Sequence, residues 1–435
     1  MNFRGVNIFD LNYEFTSDEL GILHTPKENL PKKGILIRIL SLFKAVFFFV
    51  KNNKKRKRKI PQGSILFFAL NDNEKKAFSE NLKVNKSHHL IGDDHYINGF
   101  PILKIYLISL LFIPIVFFYF LATKDKTKKV SFKYVFDSYC LSFAAILISP
   151  SYLNKLNPKK IFISNHTRPF HRIIMRTFRN RGLGYIQHAS FIDKMPPFNG
   201  FDYLLVDGKD SLNKLINSHS SNNHIYLIGN SKYDNFLNYE KNSKDLKSIG
   251  VCVNNLDDLE DIKVLVKNIK ENFPLLTIFL RPHPSDPRFM EMSDFSVLNK
   301  LNFSNSREVD SIEFLKGIDI LLAGDSNIHL ESIYLNIPSI YINFLNKSND
   351  WYGFLKEKML YNGNSPIEII NILTTIKINE INVRELGKYF NASVGTIYQG
   401  KSGLLVSEII NDNFDFINNS FIKRVNDNNI YELNE

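Results

Sequence analysis

Two runs of short apolar segments alternating with amphipathic ones, separated by a polar stretch, constrain this chain more than any other feature. The first run begins near Lys159. KIFISN (160–165) reads as a buried strand, 168–180 as a helix, LGYIQHA (183–189) and FDYLLVD (201–207) as strands, 209–217 as a short helix and HIYLIGN (224–230) as a strand. The second run opens with SIGVCVN (248–254) and passes through an amphipathic helix (257–272) to LTIFLR (276–281). It continues with helix 310–317, strand 318–324, helix 327–336 and strand 338–344. Apolar strands joined by helices predict parallel sheets covered on both faces. The stretch LNYEKNSKDLK (237–247) is polar and lacks apolar periodicity, which suits a linker. A chain of 435 residues also fits two domains better than one. The expected fold is α/β, with Rossmann-like doubly wound domains over 63–236 and 248–410. Residues 1–62 form an N-terminal segment, and the polar tail 411–435 is expected to pack as a final helix or fray. Ligands in such folds sit outside the carboxyl ends of strands.

Two apolar segments interrupt or precede the first run. Residues 35–50 are apolar and lead into a basic cluster, Lys51 followed by Lys54, Lys55, Arg56, Lys57, Arg58 and Lys59. An apolar helix ending in such a cluster suits an anionic membrane surface. Residues 105–122 carry no charge over 18 positions, at the lower edge for spanning a bilayer. Strand-like SILFFAL (64–70) lies before that segment and the other strands of the same domain lie after it. A helix that dips into one leaflet, kinked at Pro114, is therefore expected rather than a span; a buried core helix is the alternative. The net charge of +11 permits nucleic-acid binding. No nucleic-acid-binding motif accompanies the cluster, so no nucleic-acid partner is expected. Cys140 and Cys252 stand apart, no metal-ligand or cofactor motif is present, and neither metal nor cofactor is expected. No secretory signal is seen at the start of the sequence; with the two membrane-suited segments, a peripheral or monotopic protein on the cytoplasmic face of the inner membrane is expected.

The motifs with chemistry cluster at strand ends. Arg281-Pro282-His283-Pro284 is a stiff turn whose prolines remove amide donors, holding Arg281 and His283 where both reach a phosphate. Gly324-Asp325-Ser326-Asn327 follows the next strand and opens a helix, with Ser326 expected as its cap. Together they predict a phosphate cradle. In the first domain His188, in the turn 185–198, is the candidate general base, with Asp193 to orient it or act in its place. Asn165, His166 and Arg168, with His171 and Arg172 beyond, are candidates for an acidic sugar or acceptor phosphate. Gly229–Asp234 is expected to set interdomain geometry.

The HP turn, the Ser-containing helix start and the run Glu-Ser-Ile-Tyr-Leu-Asn-Ile-Pro-Ser-Ile-Tyr-Ile (331–342) resemble the C-terminal half of bacterial GT-B transferases. They are similar to the motifs of bacterial sialyltransferases and polysialyltransferases, of Kdo transferases of capsule assembly and of teichoic-acid glycerophosphotransferases. The resemblance covers roughly residues 160–355. It implies a GT-B fold, its two domains facing a cleft, with Arg281, His283, Pro284, Gly324, Asp325, Ser326 and Asn327 binding the nucleotide. The paired hydroxyls of those families are Ser326-Asn327 here, and the acidic base of sialyltransferases is missing from the 185–198 turn. The expected activity is a metal-independent, inverting glycosyltransferase moving a CMP-activated acidic sugar to a lipid-linked oligosaccharide or polysaccharide acceptor of capsule or lipopolysaccharide. The Gln187-His188-Ala189 turn, similar to that of the phosphotransferases, keeps a CDP-polyol phosphotransferase open. A non-catalytic membrane-bound scaffold that binds glycan or nucleotide is the reading from another class.

Overall fold

The computed structural model describes residues 2–12, 16, 32–52, 60–85, 87–92, 100–179, 181–191, 198–217, 224–241, 245–345, 350–376, 382–412, 421–423 and 429–433. Asp193 and the basic residues from Lys54 to Lys59 lie outside them.

A small hairpin of β1 (Asn2–Phe3) and β2 (Val6–Asn7) precedes two parallel sheets. The first contains β3 (Ile65–Ala69), β4 (His88–Gly92), β5 (Lys160–Ile163), β6 (Leu183–Ile186), β7 (Tyr203–Val206) and β8 (His224–Leu227). Their order is β4-β3-β5-β6-β7-β8. The second contains β9 (Ser248–Val253), β10 (Thr277–Pro282), β11 (Asn302–Phe303), β12 (Ile320–Ala323), β13 (Ser339–Ile342) and β14 (Tyr361–Gly363). Its order, β11-β10-β9-β12-β13-β14, is that of a doubly wound dinucleotide fold. Chain direction across the sheet reverses between β3 and β5 in the first domain and between β9 and β12 in the second. At such switch points the flanking loops part and leave a crevice at the strands' carboxyl ends.

The strand rhythm arises because these strands are covered on both faces: β3, β5, β6, β12 and β13 are buried along their whole length. One expectation fails at the C-terminus. The polar tail supplies β15 (Phe421–Lys423) and β16 (Ile430–Leu433), and β16 pairs in parallel with β8, extending the first sheet. The reason is an open edge. Alone, β8 would leave a row of backbone groups unpaired, and Tyr431 stacks on Tyr226 at 4.6 Å between ring centroids. Helix Ser402–Ile410 also returns, packing on helix Asp72–Val84 of the first domain. Asp234 accepts from the amides of Ser402 at 2.9 Å and Gly403 at 2.7 Å, capping that helix from across the linker. Residues 402–410, expected in the second domain, therefore complete the first.

The uncharged segment is helix Ile102–Ser109, a 3-10 turn at Leu110–Phe112 and helix Ile113–Ala122. Pro114 falls in the first turn of the last piece, where its missing amide costs no hydrogen bond. A long helix, Lys126–Leu156, then returns to β5 and buries Phe132, Phe136, Tyr139 and Phe143 in the core. Helix Ile35–Asn52 lies against it, tied by Arg38 Nε donating to Asp137 at 2.8 Å.

Candidate functional site

In the second domain the loops after β9, β10 and β12 converge on a cavity of about 530 Å³. Both sequence motifs line it: Arg281, Pro282, His283 and Pro284 from the end of β10, and Asp325, Ser326 and Asn327 after β12. The His283 amide donates to the Val253 carbonyl at 2.7 Å, pinning the turn to β9. Its ring Nδ1 accepts from the Ser285 amide at 3.3 Å and lies 2.7 Å from the Ser285 hydroxyl. An accepting Nδ1 puts the neutral ring's proton on Nε2, leaving His283 a donor for an anionic oxygen.

Arg281 is placed differently from the expectation. It is buried, with Nη1 donating to Ser304 Oγ at 2.9 Å and Nη2 to the Val309 carbonyl at 2.8 Å, while its guanidinium stacks over Phe314 at 4.9 Å. Those bonds hold residues 304–311, one wall of the cavity, so Arg281 acts mainly through that wall. Gly324 does not line the cavity. A Cβ there would stand 2.7 Å from Asp257 Oδ1, so a larger residue would displace that carboxylate. Ser326 is not the helix cap. The cap position is Asn327, without a side-chain bond to an amide, and the Ser326 hydroxyl accepts from Ile328 N at only 3.4 Å. Asp325 accepts from the Trp351 amide at 3.1 Å.

Two residues outside the motifs matter here. Arg288 pairs with Asp286 at 2.8 Å and donates to the carbonyls of Asp257 and Asn254, locking the β9 loop to the β10 loop. Glu331 lines the cavity one helical turn beyond Asn327 and receives Lys232 Nζ at 3.2 Å and the Tyr233 hydroxyl at 3.3 Å from the first domain. Its spacing from Asn327, four residues on one helix face, was a usable signal. Gly229–Asp234 thus joins the domains, as the sequence suggested.

The first domain's switch point holds a second cluster. Glu74, fully buried after β3, accepts from the Leu70 amide at 2.6 Å and from Asn71 Nδ2 at 2.9 Å. His171 Nε2 lies 3.2 Å from its carboxylate and Arg168 4.0 Å. Burial pushes the Glu74 pKa up, but the hydrogen bond and charge of His171, the Leu70 amide and Arg168 outweigh it and hold the carboxyl below its ordinary value. Asn71-x-x-Glu74 is a capping box, and that pattern after SILFFAL could have flagged the residue. His188 sits beside this cluster. Burial lowers its pKa, against the opposing pull of Glu74 and of a hydrogen bond that the ring donates to the Ser164 carbonyl. Among the described residues its buried Nδ1 has no hydrogen-bond partner. Ser190, two residues on, donates to Asn327 at 3.3 Å, so the His188 turn touches the Gly-Asp-Ser-Asn motif directly.

The other candidates separate. Asn165 Oδ1 accepts from Thr167 and Arg168 amides and shapes the turn. His166 is buried against Phe198, ring centroids 4.0 Å apart. Arg168 keeps the exposed side chain of the three.

No protein-family model matches the sequence, and no curated protein is similar to it by sequence. Solved structures are similar in fold. A protein described as a UDP-N-acetylglucosamine 2-epimerase from Listeria monocytogenes shares 11% identity, over 82% of this chain and 97% of that one, with a TM-score of 0.53. UDP-GlcNAc 2-epimerase from Neisseria meningitidis, solved with UDP-GlcNAc, is 11% identical over 80% of this chain and 100% of its own, with a TM-score of 0.52. A further UDP-N-acetylglucosamine 2-epimerase gives 11%, 82%, 97% and 0.51. The architecture is that of GT-B: two Rossmann-like domains facing a cleft. These likenesses carry the fold and not the sialyltransferase or Kdo-transferase resemblance.

Proposed function

We propose that this protein is a glycosyltransferase that holds an activated sugar in the second-domain cavity and activates an acceptor hydroxyl from the first. The carrying observation is that turns from two separate strands, 281–284 and 325–327, line one cavity beside the switch point, while the His188 turn reaches Asn327. A buried imidazole with a lowered pKa, its Nδ1 without a partner among the described residues, stays neutral near pH 7, as a general base must. His188 Nδ1 takes the hydroxyl proton. The freed oxygen bonds to the anomeric carbon as the bond to the leaving phosphate breaks, with inversion. His283 Nε2–H meets the charge that develops on the phosphate oxygen.

A CMP-linked acidic sugar is the finer reading. Among the described residues the cavity's lining carries Asp310, Asp325 and Glu331 against Arg281, whose guanidinium is engaged by protein, with Lys232 of the first domain pairing Glu331. That balance favours a phosphodiester with one charge over a diphosphate with two, and Arg168 offers a partner for the sugar's carboxylate. The acceptor would be a lipid-linked glycan. A UDP-sugar substrate is the second reading, favoured by the epimerases that share the fold.

Isothermal titration of the protein with CMP, CDP, UDP and GDP, repeated on His283→Ala, tests this. Preferential CMP binding, weakened about tenfold to a hundredfold in the variant by loss of one charged hydrogen bond, is expected. A UDP preference moves the assignment to the second reading, and a CDP preference to polyol-phosphate transfer. Failure of all four nucleotides to bind refutes an enzyme of this class and leaves a scaffold.

A further inference from the structure

Helix Ile35–Asn52 and the helical segment 102–122 are apolar on the face turned to solvent as well as on the face turned into the protein. In Ile35–Asn52, Leu42 and Phe49 are buried while Leu36, Leu40 and Phe47 are exposed. In residues 102–122, Ile105, Phe112 and Val116 are buried while Leu111, Phe118 and Leu121 are exposed. All six outward side chains are at least 59% exposed. Their spacings, 36-40-47 and 111-118-121, each define one outward stripe. A surface helix of a water-soluble domain is polar on that stripe. The two elements touch, with Phe49 and Tyr106 rings 4.6 Å apart, so the stripes lie on neighbouring elements, and six large apolar side chains on two such stripes exceed scattered single exposure.

We infer that this patch docks in the plane of an anionic lipid bilayer. Charge selects the occupant. Residues 35–52 and 101–124 contain no Asp or Glu, while Lys44, Lys51, Lys104 and Lys124 are exposed on or beside the patch. A second copy would set those lysines against each other. Lipid phosphates pair with them while acyl chains take up the leucines and phenylalanines, the arrangement of an interfacial amphipathic helix. Geometry selects docking over crossing. Residues 102–122 lie along Lys126–Leu156, with Phe112 stacked on Phe143 at 5.1 Å and Phe120 6.1 Å from Phe132. The segment leaves after β4 and returns to β5 of the same sheet. The returning helix carries Lys126, Lys128, Lys129, Lys133 and Asp137, which a bilayer core would not accept. It packs on helix Pro169–Phe178, whose first residue follows Arg168, so the membrane would lie one helix layer behind the acceptor side. This inference goes beyond the transferase chemistry and stands independently of it.

The test is flotation of the full chain with vesicles of phosphatidylcholine, with and without phosphatidylglycerol, for wild type, Leu40→Glu/Phe118→Glu and Lys44→Glu/Lys104→Glu. All four positions are exposed, and an unchanged thermal transition verifies folding. Wild type is expected to float with phosphatidylglycerol vesicles. The apolar double variant should lose binding by on the order of tenfold or more, and the lysine variant its preference for phosphatidylglycerol. Alkaline carbonate should release the bound protein. Equal binding by the Leu40/Phe118 variant, or retention through carbonate, overturns the docking geometry. A detergent-free dimer that the same variant makes monomeric, with no vesicle binding by wild type, assigns the patch to a second copy instead.

Discussion

Replacing Arg281 with Met distinguishes a residue that binds ligand from one that builds the pocket. The Met side chain keeps much of the stem's packing and removes the donors to Ser304 Oγ and the Val309 carbonyl, together with the cation above Phe314. Each hydrogen bond from a charged donor contributes about 1.5–3 kcal/mol, and the ring contact about 0.5–1. Removing a buried charge offsets part of that loss, since burial already lowers the Arg281 pKa. A net destabilisation of about 3 kcal/mol follows. For a domain of this size it corresponds to a Tm lower by roughly 6–12 °C. The assay is thermal unfolding by circular dichroism without nucleotide, with Arg281→Lys alongside; lysine can replace one bond and not the fork, so its loss should be about half. An Arg281→Met Tm within about 2 °C of wild type, with nucleotide binding abolished, would refute the wall assignment and make Arg281 a direct ligand.

Two further outcomes rest on charge placement. Glu74→Gln removes the negative charge that opposes the burial-driven lowering of the His188 pKa, so the acidic limb of the pH–rate profile should move to lower pH, with turnover reduced about tenfold to a hundredfold; an unmoved or upward-moving limb separates Glu74 from His188. Burial raises the Asp257 pKa from 3.8 to about 6, partly opposed by the Asn254 amide and Arg288. A carboxyl raised on folding contributes its full stability below pH 3.8 and loses it as pH rises through 6. Wild-type stability relative to Asp257→Asn should therefore fall over that window, by at most about 3 kcal/mol. Urea unfolding at pH 4 and 7 reads the difference, and a relative gain toward pH 7 contradicts the burial argument.

Most of both sheets was legible because a parallel strand buried on two faces is a compact apolar word between turn residues. β4, with two histidines in five residues, lacks that signature. The helix Lys126–Leu156 was also missed, since its buried residues spread around the helix rather than along a stripe. β15 and β16 were illegible for another reason: their pairing partner β8 lies some two hundred residues away, and local periodicity carries no record of a distant open edge. The site divides similarly. RPHP and Gly-Asp-Ser-Asn stand out as punctuation at strand ends. Whether an arginine there faces ligand or wall depends on Ser304 and Val309, which its own neighbourhood does not announce. Glu74, Arg288 and Glu331 are single charges whose meaning comes from what folds against them.

The return of residues 402–433 to the first sheet sets a timetable for the protein's making. A ribosome delivers β3 to β8 early, yet helix Ser402–Ile410 and β16 emerge only after the whole second domain. During that interval β8 is an uncovered edge and helix Asp72–Val84 lacks its partner. The second domain, whose strands lie between residues 248 and 363, can close first. The nascent first domain must wait, exposed to pairing with other chains, until the last strand arrives and shuts the edge.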